Sequence, residues 1–478
     1  MVCIFTPCCK TPKLAALGGN NEEATMLLLT LALGFVMAWI DVTAVNTALS
    51  DISADLHVPL AGLVWVVDGY TLTFAALLLA GGALADRIGA KQAYQAGLLV
   101  FLAGSLGCAL APSGTLLVAA RLLQGVGAAL FMPSSLSLLA QSSTDERARA
   151  RMFAIWSALV SAAATVGPLA GGLLVHLFGW RSIFWLNVPL GLAALALTHI
   201  VVRAPAGGAR RPLALSSHAI AALALAALAF VLIEGPVRGW TAAPVLALAA
   251  LLLVLGTWAV RRERAGQAAM LPAALYGNAA FGATVAMGFL INFGFFAQLF
   301  VISLFLQQGQ GIGALETGLR LLPMMAVTGV TNLLAGRVIA RRGVRWPLLA
   351  GLGGAVGAAL LLTAAGWTAA PALVLACATL VTLSLGLAIP AMTATVMQAG
   401  GRAHANSAAA ALNATRQVGA LVGVAVAGTV LHMAGNWPLR LALAFGVMAA
   451  GLALAWLLVF LHVQRDAARA PATPALAD

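Results

Sequence analysis

Fourteen stretches of mostly apolar residues, each near the ~20 residues a helix needs to cross a bilayer, decide what this chain can become. They run over 26–49, 60–85, 93–111, 114–140, 152–178, 182–202, 218–233, 244–260, 281–307, 317–339, 347–365, 371–398, 407–433 and 438–463. The seventh and eighth are the shortest. Of the 478 residues, 62% are apolar and 8% charged. A soluble domain carries about a quarter charged residues. A chain this apolar has no polar surface to show to water, and lipid removes the need for one. The 50 glycines fit the same setting, because membrane helices pack closely through small residues.

The formal net charge of +12 would suggest nucleic acid in a soluble chain. Here the basic residues fall in short clusters between apolar stretches, a pattern that orients a membrane protein, so no nucleic-acid partner is expected. With the N-terminus in the cytoplasm, 20 of the 26 Lys and Arg lie on the inner side, among them Arg147, Arg149 and Arg151, then Arg261, Arg262 and Arg264. Arg181, Arg238, Arg320 and Arg440 fall outside, and Arg121 and Arg416 lie within stretches. Removing any one span would scramble the alternation, so both termini are expected in the cytoplasm of a cell inner or plasma membrane. The polar segment 1–25 contains Pro7 and Pro12 and lacks the apolar core of a cleavable signal. Cys8–Cys9 leaves lipidation as an alternative use of that segment. The five cysteines form no zinc or disulfide pattern, and no cofactor or metal is expected.

A repeat relates the two halves. Gly82-Ala-Leu-Ala-Asp86-Arg87-Ile-Gly89-Ala-Lys91 follows the second stretch, and Gly336-Arg-Val-Ile-Ala-Arg341-Arg-Gly343-Val-Arg345 follows the tenth. Glycines and basic residues align at a constant offset of 254. Parallel repeats of this kind build transporter halves, although Gly and Arg are also common in ordinary inner turns. The expected organisation is a tail (1–25), a six-helix bundle (26–202), a linker carrying two extra spans (203–265), a second six-helix bundle (266–463) and a tail (464–478).

Charge inside a bilayer costs ~2.5–3.5 kcal/mol or more per residue and is usually functional. Asp41, Asp68, Arg121 and Arg416 fall within stretches. At 1.5 Å per residue, the first three lie about 10–12 Å from the outer ends of spans one, two and four, in one slab. They could reach one another across a cavity. A carboxylate whose cationic partner or water access changes is a proton carrier; a static ion pair that fixes helix packing is the alternative. On this reading Asp41 and Arg121 couple protons, and Asp68 attracts cationic guests. Phe289, Asn292, Phe293 and Phe296 recur at i, i+3, i+4 and i+7, an aromatic face with one amide suited to flat or lipophilic guests, or else to helix packing. Trp65 lies three residues before Asp68 and could share its face. In span five, Gly167-Pro168-Leu-Ala-Gly171-Gly172 combines a helix-bending proline with glycines that admit a neighbour.

Together these residues resemble the major facilitator superfamily, and within it the fourteen-helix drug:proton antiporters of EmrB/QacA type. Asp41-Val-Thr-Ala-Val-Asn46-Thr-Ala-Leu is similar to that branch's first-helix signature, with Ser50 where a proline is usual. Trp65-Val-Val-Asp68-Gly-Tyr70, the Gly82–Lys91 loop, Arg121-Leu-Leu-Gln124-Gly125-Val-Gly127 and Gly167-Pro168-x-x-Gly171-Gly172 each look like its motifs. So do Trp180-Arg181-x-x-Phe184-x-x-Asn187-Val-Pro189 and Arg416-Gln417-Val-Gly419. The resemblance implies an all-α major facilitator fold: two six-helix bundles plus an inserted pair. It implies proton-driven export of small hydrophobic or cationic compounds through the lipid bilayer. It ties Arg121 to proton coupling, and Gly82, Asp86, Arg87, Gly89, Lys91 and the span-five motif to conformational switching. Span ten holds no buried acid, with Glu316 only at its edge, which weakens the case for bulky divalent cations. A periplasmic adaptor is compatible with this class, but no feature of the sequence asks for one.

Import by proton symport is the nearest alternative, and the span-five motif argues against it. An enzyme would need clustered His, Cys or carboxylates, and a receptor a ligand or signalling domain. The sequence offers neither. If Asp86 locks the halves through a helix end, Asp86→Ala should insert normally yet switch slowly. Wild-type transport rates from a well-expressed variant would remove that role.

Overall fold

The computed structural model describes residues 21–141, 146–202, 215–264, 273–433 and 435–463. Lipid provides no partner for a bare N–H or C=O, so each apolar stretch closes its backbone bonds internally as a helix. Fourteen spans result: α1 Thr25–Leu56, α2 Leu60–Ile88, α3 Ala90–Ala109, α4 Gly114–Gln141, α5 Arg151–Phe178, α6 Ser182–Val201, α7 Ser216–Arg238, α8 Ala243–Arg262, α9 Ala279–Gly309, α10 Ala314–Arg342, α11 Arg345–Thr368, α12 Pro371–Gly401, α13 Ser407–Met433 and α14 Trp437–His462. An even number of crossings leaves both described ends on one face, the terminal face; the opposite side is the far face. The sequence ended the seventh span at Ile233. The helix continues to Arg238 and carries Glu234 with it, because Pro236 falls in its last turn and does not stop it earlier.

Six spans, α1–α6, pack as one bundle and α9–α14 as another. Small residues set the closeness. In the first bundle, a Cβ on Gly97 would meet the Gly127 carbonyl, and one on Gly127 would meet the Gly97 carbonyl, so α3 and α4 touch backbone to backbone. In the second, Gly419 and Gly423 of α13 rest on the Phe289 and Phe293 carbonyls of α9. The repeat is visible in three dimensions. Gly89 and Gly343 both have positive φ, 98° and 71°, which favours glycine at each of these two turns. Lys91 donates from Nζ to the His199 and Val202 carbonyls at the end of α6, at 3.1 and 2.6 Å. Its counterpart Arg345 donates to the Phe460 carbonyl near the end of α14, at 3.3 Å. Both cations thereby satisfy carbonyls left open at a helix C-terminus.

The inserted pair is asymmetric. The α8 helix lies almost wholly outside, with 6% of its apolar window buried. The α7 helix packs against α2 and α13 together. Thr429 Oγ1 donates to the Leu232 carbonyl at 2.9 Å, and Trp65 Nε1 donates to Glu234 Oε1 at 3.0 Å. The pair thus spans the seam between the two bundles.

That seam is closed from mid-membrane to the far face. Gly172 of α5 meets the Ala314 carbonyl of α10, Gly318 of α10 meets the Pro168 carbonyl, and Gly428 of α13 meets Val64 of α2. The α1 helix is interrupted there by a 3₁₀ segment, Val45–Ala48. Gln307, in a short π-helical stretch of α9, enters the interruption. Its Oε1 accepts from Ser50 N–H at 3.1 Å, and its Nε2 donates to the Asn46 carbonyl at 3.0 Å. The side-chain amide of one bundle therefore bridges the Asn46 carbonyl and the Ser50 N–H, one turn apart on the other bundle's helix. Among the described residues, no hydrogen bond or ion pair joins the bundles near the terminal face. Among the described residues, the hydrogen bonds that tie the two bundles directly thus lie at mid-membrane and toward the far face.

Two hydrogen bonds of about 0.5–1.5 kcal/mol each hold this bridge. In a cysteine-free background bearing Val64→Cys, Gln307→Ala should raise labelling by a membrane-impermeant thiol reagent about three- to tenfold. An unchanged labelling rate would show that Gln307 does not hold the far side closed.

Candidate functional site

Asp41 of α1 is fully buried, and groups from four other helices of the first bundle gather around it. Arg121 Nη1 of α4 forms an ion pair with its Oδ2. Asn187 Nδ2 of α6 donates to Oδ1 at 2.8 Å, and Gln124 Nε2 of α4 donates to the same oxygen at 3.3 Å. Gln124 and Asn187 also reach Ser105 Oγ of α3, at 2.8 and 3.3 Å. Arg121 is 1% exposed and heavily shared. It donates from Nη1 to Gln124 Oε1 at 2.7 Å and from Nε to the Val66 carbonyl of α2 at 3.0 Å. The Tyr70 and Phe184 rings lie 4.8 and 5.8 Å from its guanidinium carbon. Such distances allow cation–π attraction, which is stronger when desolvated.

The sequence placed Asp41 and Arg121 at matching depth, and they do meet. It left open a reach across a cavity or a direct ion pair that fixes packing. They touch inside a packed bundle, because Gly125 and Gly127 draw α4 hard against α2 and α3. Gln124 and Asn187 were quoted only as parts of motifs and belong to the cluster itself. Gln124 could have been found, since it lies one turn after Arg121 on the same face. Ser105 gave no signal.

Asp68 does not join this group. It is fully buried, and neither carboxylate oxygen has a hydrogen-bond partner among the described residues. Val64, one turn nearer the far face on the same side of α2, packs on Gly428 of α13, so Asp68 is aimed at the seam. Trp65 is tied by its indole N–H to Glu234 of α7. The ring that the sequence set on the face of Asp68 thus also links α2 to the inserted pair.

The aromatic face of α9 is divided. Phe289 and Phe293 stack, with ring centres 6.3 Å apart, and Phe293 turns into its own bundle against Gly451 of α14. Phe296 packs edge to face with Phe295 at 5.4 Å. Phe289 and Phe296 remain half-buried, whereas Phe293 is core. Asn292 Oδ1 accepts from Arg416 Nε at 3.2 Å.

The switching residues also part company. In α5, Gly167 and Gly171 face α1 at Thr43 and Ala44, while Gly172 and the Pro168 carbonyl face α10 across the seam. Gly82 lies near Pro133 of α4. Asp86 and Arg87 are exposed at the terminal face and bond to no described residue. The meeting with the second bundle that the sequence expected of Asp86 is not made by a hydrogen bond or ion pair among the described residues.

The sequence matches the family described as Major Facilitator Superfamily over residues 31–424. It is 47% identical over 453 residues to a methylenomycin A resistance protein of Bacillus subtilis, covering 93% of this chain and 97% of that protein. A methylenomycin A resistance protein of Streptomyces coelicolor is 41% identical, with 98% and 100% covered. The multidrug resistance protein Stp of Mycobacterium tuberculosis is 34% identical, with 86% and 76% covered. Among solved structures, a D-xylose-proton symporter aligns with a TM-score of 0.67 at 13% identity, covering 93% of this chain and 98% of the other. At that identity the likeness concerns the fold.

Removing one member of a buried ion pair costs about 3–5 kcal/mol, because it strands the other. Arg121→Ala should therefore markedly lower the melting temperature in detergent, and adding Asp41→Asn should recover part of the loss. If the double variant is no more stable than Arg121→Ala, the stranded carboxylate is not what destabilises the single variant.

Proposed function

The chain belongs to the Major Facilitator Superfamily, and on that premise we propose that it exports small hydrophobic compounds across the cell membrane in exchange for protons, by alternating access. The observation that carries the proposal is the shell around Asp41 and Arg121. A proton carrier must change charge without stranding its partner. When Asp41 is neutral, Arg121 keeps the Gln124 oxygen, the Val66 carbonyl and two aromatic faces. When Asp41 is ionised, it keeps Asn187, Gln124 and Arg121. Both states keep hydrogen-bond partners for their buried polar groups, so the cost of taking up the proton is chiefly the lost ion pair, which the rings and oxygens around Arg121 partly offset. Asp41 is the residue we assign to the proton.

The curated relatives are named for resistance to methylenomycin A and to multiple drugs, which supports export over import. The glycine–proline motif of α5 supports it too, since it forms part of the moving seam. The terminal face is assigned to the cytoplasm by the excess of basic residues on that side. The structure then represents the state that loads from inside. Domain limits follow the same reading: bundles over 26–202 and 266–463, with the inserted pair in 203–265. Asp86 and Arg87 are assigned to the opposite state, when the terminal side closes. Asp68, aimed at the seam and unpartnered, is assigned to the attraction of cationic groups.

Reconstituted vesicles with an imposed proton gradient separate these roles. Asp41→Asn should abolish gradient-driven efflux of neutral and cationic compounds alike. Asp68→Asn should slow cations more than neutral compounds. Retained efflux by Asp41→Asn would move the proton elsewhere, with Asp68 the next candidate.

A further inference from the structure

The second membrane-embedded arginine is in a different condition from the first. Arg416 has no carboxylate within ion-pair distance among the described residues, and one hydrogen bond, from Nε to Asn292 Oδ1. A guanidinium carries five N–H donors. The four on Nη1 and Nη2 are bonded to no described residue, nor are the two on Asn292 Nδ2, and none of these nitrogens is sealed in the core.

The side chain is nevertheless held in place. A Cβ on Gly288 of α9 would lie 3.2 Å from Arg416 Cγ, so the stem crosses α9 where the helix has no side chain. One turn further along α9, Asn292 accepts from Nε, and that bond fixes the plane of the guanidinium. The pair of Nη groups is left as a fork, the geometry that binds a carboxylate with two parallel bonds. The surrounding turn of α13, residues 413–418, is half-buried throughout, and Ala414 within it packs against the core of the first bundle. Arg416 therefore lies at the border between its own bundle and the seam. It is about 13 Å in from the terminal end of α13, deeper than lipid phosphates sit.

A guanidinium fork that is open to the seam, held in plane and without an acceptor among the described residues is placed to take an anion supplied from outside the chain, in a membrane interior where matching the cation is worth most. We propose that Arg416, oriented by Asn292, is a specificity-determining site that receives the acidic group of an exported compound, a carboxylate carried on a small apolar frame. This inference rests on the export reading and names a substrate class for it. Asp68 and Arg416 then form two poles, one on each bundle, for guests of opposite charge.

The test is equilibrium dialysis of the purified full chain in neutral detergent, where no lipid phosphate competes. The probes are matched acid and amide pairs of several sizes, naphthalene-2-carboxylate and naphthalene-2-carboxamide among them. At least one acid should bind about tenfold or more tightly than its amide, the gain expected from a charge-assisted fork. Arg416→Gln should erase that preference while leaving amide binding in place, and Asn292→Ala should narrow it. If no acid is preferred by the wild type, or if Arg416→Gln keeps the preference, the proposal is overturned. The same protein reconstituted with a proton gradient distinguishes the two readings. Gradient-driven efflux of a neutral compound without acid preference removes only this inference. Acid preference without any gradient-driven efflux removes the export reading.

Discussion

Helices already dissolved in lipid gain little hydrophobic energy by meeting one another, so their assembly depends on how closely the backbones can approach. Everything else in this structure depends on that closeness. Gly97 against Gly127 brings α3 onto α4, and Gly125 brings α4 onto α2. Only then do Asp41, Ser105, Arg121, Gln124 and Asn187 fall within hydrogen-bond reach. A larger side chain at these glycines would hold the helices apart and strand the charges in a medium where each costs several kcal/mol.

The same short-range packing builds the seam, with one difference. Within a bundle the contacts are many and continuous. Between bundles they are sparser, and among the described residues they include glycine contacts, one inserted amide, the Thr165–Met325 hydrogen bond, Ala414 against the first bundle's core and the α7 strap. An interface of that kind has a closed arrangement and an open one, with little between, since close-packed surfaces do not deform smoothly. The Gln307 amide is part of this logic. It bridges two backbone groups one turn apart on α1, so opening the far side must give those groups other partners, in the helix or in water. The inserted pair adds a second constraint, because Trp65 and Thr429 anchor α7 to opposite bundles.

Much of this was legible in the sequence. The fourteen spans followed from apolar length, since an unsatisfied backbone cannot persist in lipid. The Gly89 and Gly343 turns followed from a repeat whose backbone needs positive φ. Asp41 and Arg121 stood out because charge is rare in such stretches. What escaped were polar groups that cost little to place. Ser105 and Gln307 are ordinary residues in apolar runs, and Gln307 meets its partner 257 residues away. Glu234 was hidden by a helix end misplaced by a turn. Phe293 has the same spacing credentials as Phe289, yet one ring is core and the other half-open, because periodicity gives a shared face without saying what covers it.

The sequence alone thus determined the number of spans, the presence of buried charge and the two-fold repetition. These are properties of single helices and their solvent, set by hydropathy and by the cost of bare polar groups. The tertiary structure decided which charges are matched. Arg121 and Arg416 look alike in sequence, each alone in an apolar run. Packing surrounds the first with a carboxylate, an amide, a carbonyl and two rings, and gives the second a single amide oxygen. That difference arises from which helices approach, at which glycines, and such distances are fixed only when all the helices are in place.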